Sequence, residues 1–298
     1  MASLAGCKCL VTGASSGIGR ATCQVLKEQG ATIVGTGRDE GALKSLQYDD
    51  KAIVGYIAVD LAEEDSACQR VVSEAAHILG GSLTTVVNAA GALRGGAIGG
   101  PSTTLENYQF NMKINTQVPF EIITAAVPYL KMTAEALKAA ADISMDDAFE
   151  VVHPSIVTVS SVNGLQSFPA CATYCMSKAA VDQLTRCASV DLAPYGIRVN
   201  SVNPGVIKTN IHRVRDSLHH DACVHYAFLG MTATIGRPKT NDEDGSPSDI
   251  WIPQPSTVSH TTLYFFFLSN IPHRDKPYPT SPRPSFAIPE GWNGRGSV

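Results

Sequence analysis

A chain of 298 residues, 44% of them hydrophobic, is long enough to bury one sizeable core, as α/β domains of about 200–250 residues routinely do. A net charge of −4 leaves no electrostatic footprint for nucleic acid or an anionic membrane, and no apolar run approaches the roughly 20 residues of a membrane span. The start, Met1-Ala2-Ser3-Leu4-Ala5-Gly6, lacks the charged and apolar regions of a signal peptide, so the 8 cysteines read as reduced thiols and a cytoplasmic protein is expected.

The first element is a buried strand from Cys7 to Thr12, with Cys7 and Cys9 alternating as small core residues. It runs straight into Thr12-Gly13-Ala14-Ser15-Ser16-Gly17-Ile18-Gly19, after which a helix begins. Glycines at these positions allow a tight turn and let a pyrophosphate approach the backbone, while the helix N-terminus favours its negative charge. Further strand-like runs near 31–36, 52–59, 83–88, 155–160 and 198–203 alternate with helix-compatible stretches. That alternation predicts a doubly wound parallel sheet with helices on both faces, a Rossmann-like α/β domain spanning 1–238. Gly13, Asn88, Ser161 and Asn203 all follow strand ends, which places them along one crevice.

The second strand ends in Gly37-Arg38-Asp39. An acidic residue at such a tip bonds the ribose 2′-hydroxyl of NAD, whereas an arginine accommodates the 2′-phosphate of NADP. Arg38 comes first, so NADP(H) is favoured, with NAD(H) the alternative. The glycine-rich stretch from Gly91 to Gly100 reads as a flexible rim, and Ala134 to Ala141 as extra helix within an insertion over about 131–154. Ser161 ends an apolar strand, and Tyr174-Cys175-Met176-Ser177-Lys178 sets a phenol and an ammonium one helical turn apart on one face. A phenol beside a fixed positive charge loses its proton below its ordinary pKa of about 10, so Tyr174 is expected to trade protons near neutral pH.

In these motifs the chain resembles the short-chain dehydrogenases/reductases over about residues 5–238, with likeness to 3-oxoacyl-carrier-protein reductase-like and hydroxysteroid-type members. Asn88-Ala89-Ala90-Gly91 stands where that family carries Asn-Asn-Ala-Gly, and Asn115 falls at its catalytic asparagine. Asn203-Pro204-Gly205-Val206 with Thr209 resembles its Pro-Gly turn beside the nicotinamide, and Asp60-Leu61 its adenine-contacting pair. Asp60 taken by itself also fits a helix N-cap.

The resemblance implies hydride transfer between nicotinamide and a carbonyl or secondary alcohol, in a homo-oligomer acting on a small molecule. Tyr174 would be general acid/base, Lys178 would lower its pKa and hold the ribose hydroxyls, Ser161 would bond the substrate oxygen, and Asn115 would place a relay water.

Two features stand outside this pattern. The cluster His219-His220-Asp221 with Cys223 and His225 fits no zinc spacing, so no metal is expected and a polar helix is the reading. After Arg237 the chain becomes Pro-rich, and residues 239–298 read as an atypical, poorly ordered tail containing the apolar run Leu263 to Leu268. Prolines at 272, 277, 279, 282, 284 and 289 exclude a regular last strand there, so the sheet is expected to lack an edge strand. That tail carries the alternative reading, a non-catalytic nucleotide-binding or misassembled form of the enzyme.

Overall fold

Runs of β-branched and apolar residues buried on both faces make six parallel strands: β1 Lys8–Thr12, β2 Thr32–Gly37, β3 Gly55–Ala58, β4 Thr85–Asn88, β5 Ser155–Val159 and β6 Arg198–Asn203. The structure is a computed structural model that describes residues 3–64, 66–140, 153–207, 209, 211 and 230–234. Between the strands lie α1 Gly17–Glu28, α2 Glu40–Tyr48, α3 Ala67–Ile78, α4 Leu105–Met112, α5 Val118–Ala140 and α6 Ala172–Leu192. The strand order is β3-β2-β1-β4-β5-β6, with a seventh strand beyond β6, so the chain leaves β1 in one direction for β2 and β3 and returns to its other side for β4. That reversal opens the crevice at the carboxyl ends of the strands where ligands bind in such sheets.

Alternation along each strand fills two cores. Leu10, Val34, Val86, Ile156 and Val199 are register partners across the sheet and share one core with Val71 and Val72 of α3, Ile122 and Ala126 of α5 and Ala188 of α6. Cys9, Val11 and Ile33 face the other way, onto Cys23 of α1 and Leu43 and Leu46 of α2. Cys7 and Cys9 are therefore the small core residues the alternation predicts.

The seventh strand corrects the expected missing edge. β7, Gly230–Thr234, pairs antiparallel with β6, Gly230 opposite Asn203 and Thr234 opposite Val199. It precedes the Pro-rich segment, which is why proline counting there does not find it. The extra helix is present to Ala140, since α5 continues through Pro128. The rest of the insertion, the histidine cluster and the 239–298 tail with its apolar run lie outside the described residues. Among the described residues no helix is long and apolar enough to cross a membrane.

Candidate active site

The turn from β1 into α1 is shaped by contact between backbones. At Gly13, φ +68°, an added Cβ would lie 2.8 Å from the carbonyl carbon and oxygen of Ala89, so a side chain cannot be accommodated where the chain leaves β4. A Cβ on Gly19 would overlap the Gly13 carbonyl, which fixes the first turn of α1 against the loop. Ser16 occupies the N-cap without a side-chain cap bond, and no acidic residue stands in the first turn, so the helix end is electrostatically open to an anion. Ser15 leans on Gly37 at the end of β2, and Ile18 is half-buried behind the turn. Thr209 closes on Gly17 from the far side of the crevice, its Cγ2 lying 3.1 Å from a Cβ placed there.

The tips of β2 and β3 meet at this crevice. Arg38 is 72% exposed and lies 3.5 Å from Asp60, whose other oxygen accepts from the Ala62 N–H at 3.0 Å. Asp60 is thus an Asx-type turn residue beside a buried Leu61 and not the helix N-cap, a position that Ser66 occupies for α3. Asp39 is committed elsewhere, because it caps α2 by accepting from the Ala42 N–H at 2.9 Å. At the end of β4, Thr12 Oγ1 accepts from the N–H groups of both Ala89 and Ala90 at 3.1 Å, holding the loop that leads to Gly91. The Asn88 amide is buried there with neither polar atom hydrogen-bonded to a described residue.

Ser161, Tyr174 and Lys178 converge at the end of β5. Ser161 caps the short turn Val162–Gly164, its Oγ accepting from the Asn163 N–H at 3.1 Å and donating to Asn163 Oδ1 at 3.3 Å. Tyr174 and Lys178 are both buried on α6. The Lys178 ammonium donates to the Val159 carbonyl at 2.9 Å and lies 5.8 Å from the centre of the Tyr174 ring.

The electrostatics differ from expectation. Burial pushes the Tyr174 phenol up to about 12, only partly offset by the neighbouring Ser161 hydroxyl. Burial also brings Lys178 down to about 8, against the opposing pull of Asp182. The protein alone therefore holds the phenol protonated, because burial of the phenol itself outweighs what lowers its pKa.

Asn115 sits in a π-helical turn, Lys113–Gln117, between α4 and α5, a distortion frequent at functional sites. Its Oδ1 accepts from the Ala92 N–H at 3.0 Å, and its Nδ2 donates to the Ala92 carbonyl at 2.9 Å and to Ser177 Oγ at 3.0 Å. Gly91 lies between the two groups: a Cβ there would stand 3.0 Å from Asn115 Oδ1 and 3.6 Å from Lys178 Nζ. On the opposite wall the Pro204 carbonyl accepts from the Val162 N–H at 3.0 Å, with Gly205 half-buried and Val206 exposed beyond it.

A family model described as short chain dehydrogenase matches residues 8–218. The chain belongs to that family. It is 31% identical over 221 residues to L-xylulose reductase of Mesocricetus auratus, covering 74% of this chain and 80% of that one. It is 29% identical over 211 residues to 2,5-dichloro-2,5-cyclohexadiene-1,4-diol dehydrogenase LinX of Sphingobium indicum, covering 70% and 76% respectively. Among solved structures it is similar to the Pseudomonas aeruginosa RhlG/NADP active-site complex, with TM-score 0.61, 28% identity and coverage of 71% and 77%.

Short-chain dehydrogenases are oxidoreductases that bind nicotinamide dinucleotides and act on small molecules. The crevice of this member suits such a group on its own evidence: the glycine turn admits no Cβ, the α1 terminus is uncapped by a side chain, and the buried Asn88 amide has bonding capacity to spare. Sequence reasoning missed several supports of this short-chain dehydrogenase site. Asn203 Nδ2 donates at 2.9 Å both to the Ser161 carbonyl and to the buried Asp182. Asp182 stands one further turn along the Tyr174–Lys178 face, so a carboxylate on an otherwise buried stripe was the available signal. Thr12, Asn111 and Ser177 act through backbone or loop contacts that carry no sequence pattern.

Proposed function

We propose that this short-chain dehydrogenase is an NADPH-dependent carbonyl reductase with Tyr174 as its general acid. The observation that carries this reading is a buried Tyr174 phenol one turn of α6 from the buried Lys178 ammonium, whose Nζ lies 5.8 Å from the ring centre. NADPH supplies the hydride when bound. Ser161 bonds the carbonyl oxygen where negative charge accumulates, and Tyr174 delivers the proton to that oxygen. Lys178 holds a positive charge beneath the phenol and bonds the nicotinamide ribose. Asn115 orders the loop through Gly91 and places the water that returns a proton to Lys178. Gly13, Ser15, Ser16, Gly17, Ile18 and Gly19 hold the pyrophosphate; Asp60, Leu61, Asn88, Ala89 and Gly91 line the adenosine and ribose side. Pro204, Gly205, Val206 and Thr209 face the nicotinamide.

The preference for NADPH rests on Arg38, which is held to Asp60 by a 3.5 Å surface ion pair and is exposed enough to turn to a 2′-phosphate, while Asp39 is engaged in capping α2. Arg38→Ala should raise the Kd for NADPH about 10–100-fold, the loss of one charged hydrogen bond, and leave NADH binding nearly unchanged. Titration by nicotinamide fluorescence reads both. Equal weakening of the two cofactors would refute the assignment.

The pH profile follows from the two shifted groups. Lys178 loses its charge near pH 8, while Tyr174 keeps its proton to about 12. The kcat/KM for carbonyl reduction should therefore fall on the alkaline side through about pH 8, with no limb from the tyrosine below pH 10. A profile flat to pH 10 would contradict this. A homo-oligomer belongs to the same reading, and the exposed Phe120, which lines a groove of about 800 Å³ between α4 and α5, offers it an apolar surface. Sedimentation velocity tests it. The whole proposal is tested by titrating NADPH and NADH and then following NADPH oxidation over a panel of ketones, aldehydes and vicinal diketones.

A further inference from the structure

Asn111 repeats the bonding of Asn115 one helical turn earlier. Asn115 takes the N–H and carbonyl of Ala92 and reaches on to Ser177 Oγ. Asn111 Oδ1 accepts from the Arg94 N–H at 3.0 Å, and its Nδ2 donates at 2.8 Å to the Arg94 carbonyl and at 2.8 Å to Thr173 Oγ1. The spacings match on all three elements: 92 and 94 alternate along the rim, while 111 with 115 and 173 with 177 each stand one turn apart on a helix. Each amide imitates the edge of a strand toward the rim and joins it to α6. Thr173 and Ser177 immediately precede Tyr174 and Lys178.

Asn111 is fully buried, and a hydrogen-bonded network of this kind rigidifies what it joins. The rim is further held where the Gly96 N–H donates to the Ala170 carbonyl at 2.8 Å, just before α6. The Arg94 side chain is drawn the other way, over the Phe110 ring at 3.7 Å and to Glu106 at 3.2 Å. The glycine-rich stretch that reads as a flexible rim is thus pinned at Ala92, Arg94 and Gly96.

We propose that Asn111 and Thr173 form a second positioning clamp, which fixes the 92–96 rim against the first turn of α6 and so sets a rigid wall beside Tyr174. Asn111 acts on substrate affinity through that wall and leaves the cofactor crevice unchanged. Its kinetic consequence rests on the reductase reading; the clamp itself does not.

Site-resolved amide exchange and steady-state kinetics together test it. Asn111→Leu keeps a similar volume without polar atoms, and should speed exchange at the Arg94 amide by about 10-fold or more while Ala92, held by Asn115, stays within about 3-fold. The KM for the carbonyl should rise about 10-fold, with the NADPH Kd within about 2-fold and kcat little changed. Asn111→Asp keeps the acceptor for Arg94 but loses both donors, so it should restore the Arg94 protection and not the KM. Thr173→Val, which cuts only the tie to α6, should raise the KM in the same direction and serves if Asn111→Leu does not fold. A purely structural role would lower Tm and leave the KM of the folded enzyme unaltered, and that result, or wild-type exchange at Arg94 in folded Asn111→Leu, overturns the proposal. If the wild type turns over no carbonyl, the reductase reading fails, and Arg94 protection alone decides the clamp.

Discussion

Tyr174→Phe should lower carbonyl reduction by about 10³-fold or more, while the NADPH Kd stays within a factor of about 2. The substitution removes one oxygen and leaves the ring that α6 packs against the Ser161 turn. That oxygen carries the buried phenol's proton, while the Lys178 ammonium is turned toward the Val159 carbonyl. Removing it leaves the bonds between Ser161 and Asn163 in place, so the cost in stability is modest, yet takes away the proton that the developing alkoxide requires. Single-turnover measurement with saturating NADPH separates the two effects. Residual turnover above about a tenth of wild type would show that another group, or water, supplies the proton.

The second large effect is expected at Gly19. A Cβ there would overlap the carbonyl of Gly13, and the atoms it meets are all backbone of the Gly13–Ala14 peptide, with no flexible side chain to yield. Its φ is not in the left-handed region, so Gly19→Ala tests close approach between backbones without adding conformational strain. To admit the methyl, α1 must move away from the turn, which displaces the N–H groups that would meet a pyrophosphate. NADPH affinity should fall by about 100-fold or more, with a drop in Tm as α1 loosens from β1. Gly81, where nothing lies within 4 Å of an added Cβ, provides the comparison: with φ +86° its substitution strains the backbone but should leave cofactor affinity alone. Equal NADPH binding by Gly19→Ala and wild type would show that the turn does not cradle the cofactor.

Much of this site was legible because its parts sit where periodicity speaks. Tyr174 and Lys178 share a helix face by their spacing, and Gly13, Asn88 and Ser161 follow strands whose apolar runs are easy to see. The fold followed from the same alternation, with strand bounds shifted by a residue or two. The run from Leu83, for example, already bonds through its backbone at Thr84, whose N–H donates to the Lys8 carbonyl at 2.9 Å, and is in register with β1 from Thr85.

What stayed hidden depends on docking. The rim at 92–96 looked flexible because its glycines are visible and the amides that hold it come from a distant helix. β7 is a short segment whose strand character rests on its pairing with β6. The rise in the Tyr174 pKa comes from burial, which the helical spacing to Lys178 does not report.

The central claim is that this chain moves a hydride from NADPH to a carbonyl carbon. The most direct measurement uses NADPH deuterated at the transferred position of the nicotinamide, incubated with the purified full chain and a panel of small ketones, aldehydes and vicinal diketones. Mass spectrometry of the products then reads where the label goes. The account predicts deuterium on the carbinol carbon of at least one product alcohol, with loss of NADPH in equal amount. Folded protein that binds NADPH and transfers no label to any member of the panel would contradict it.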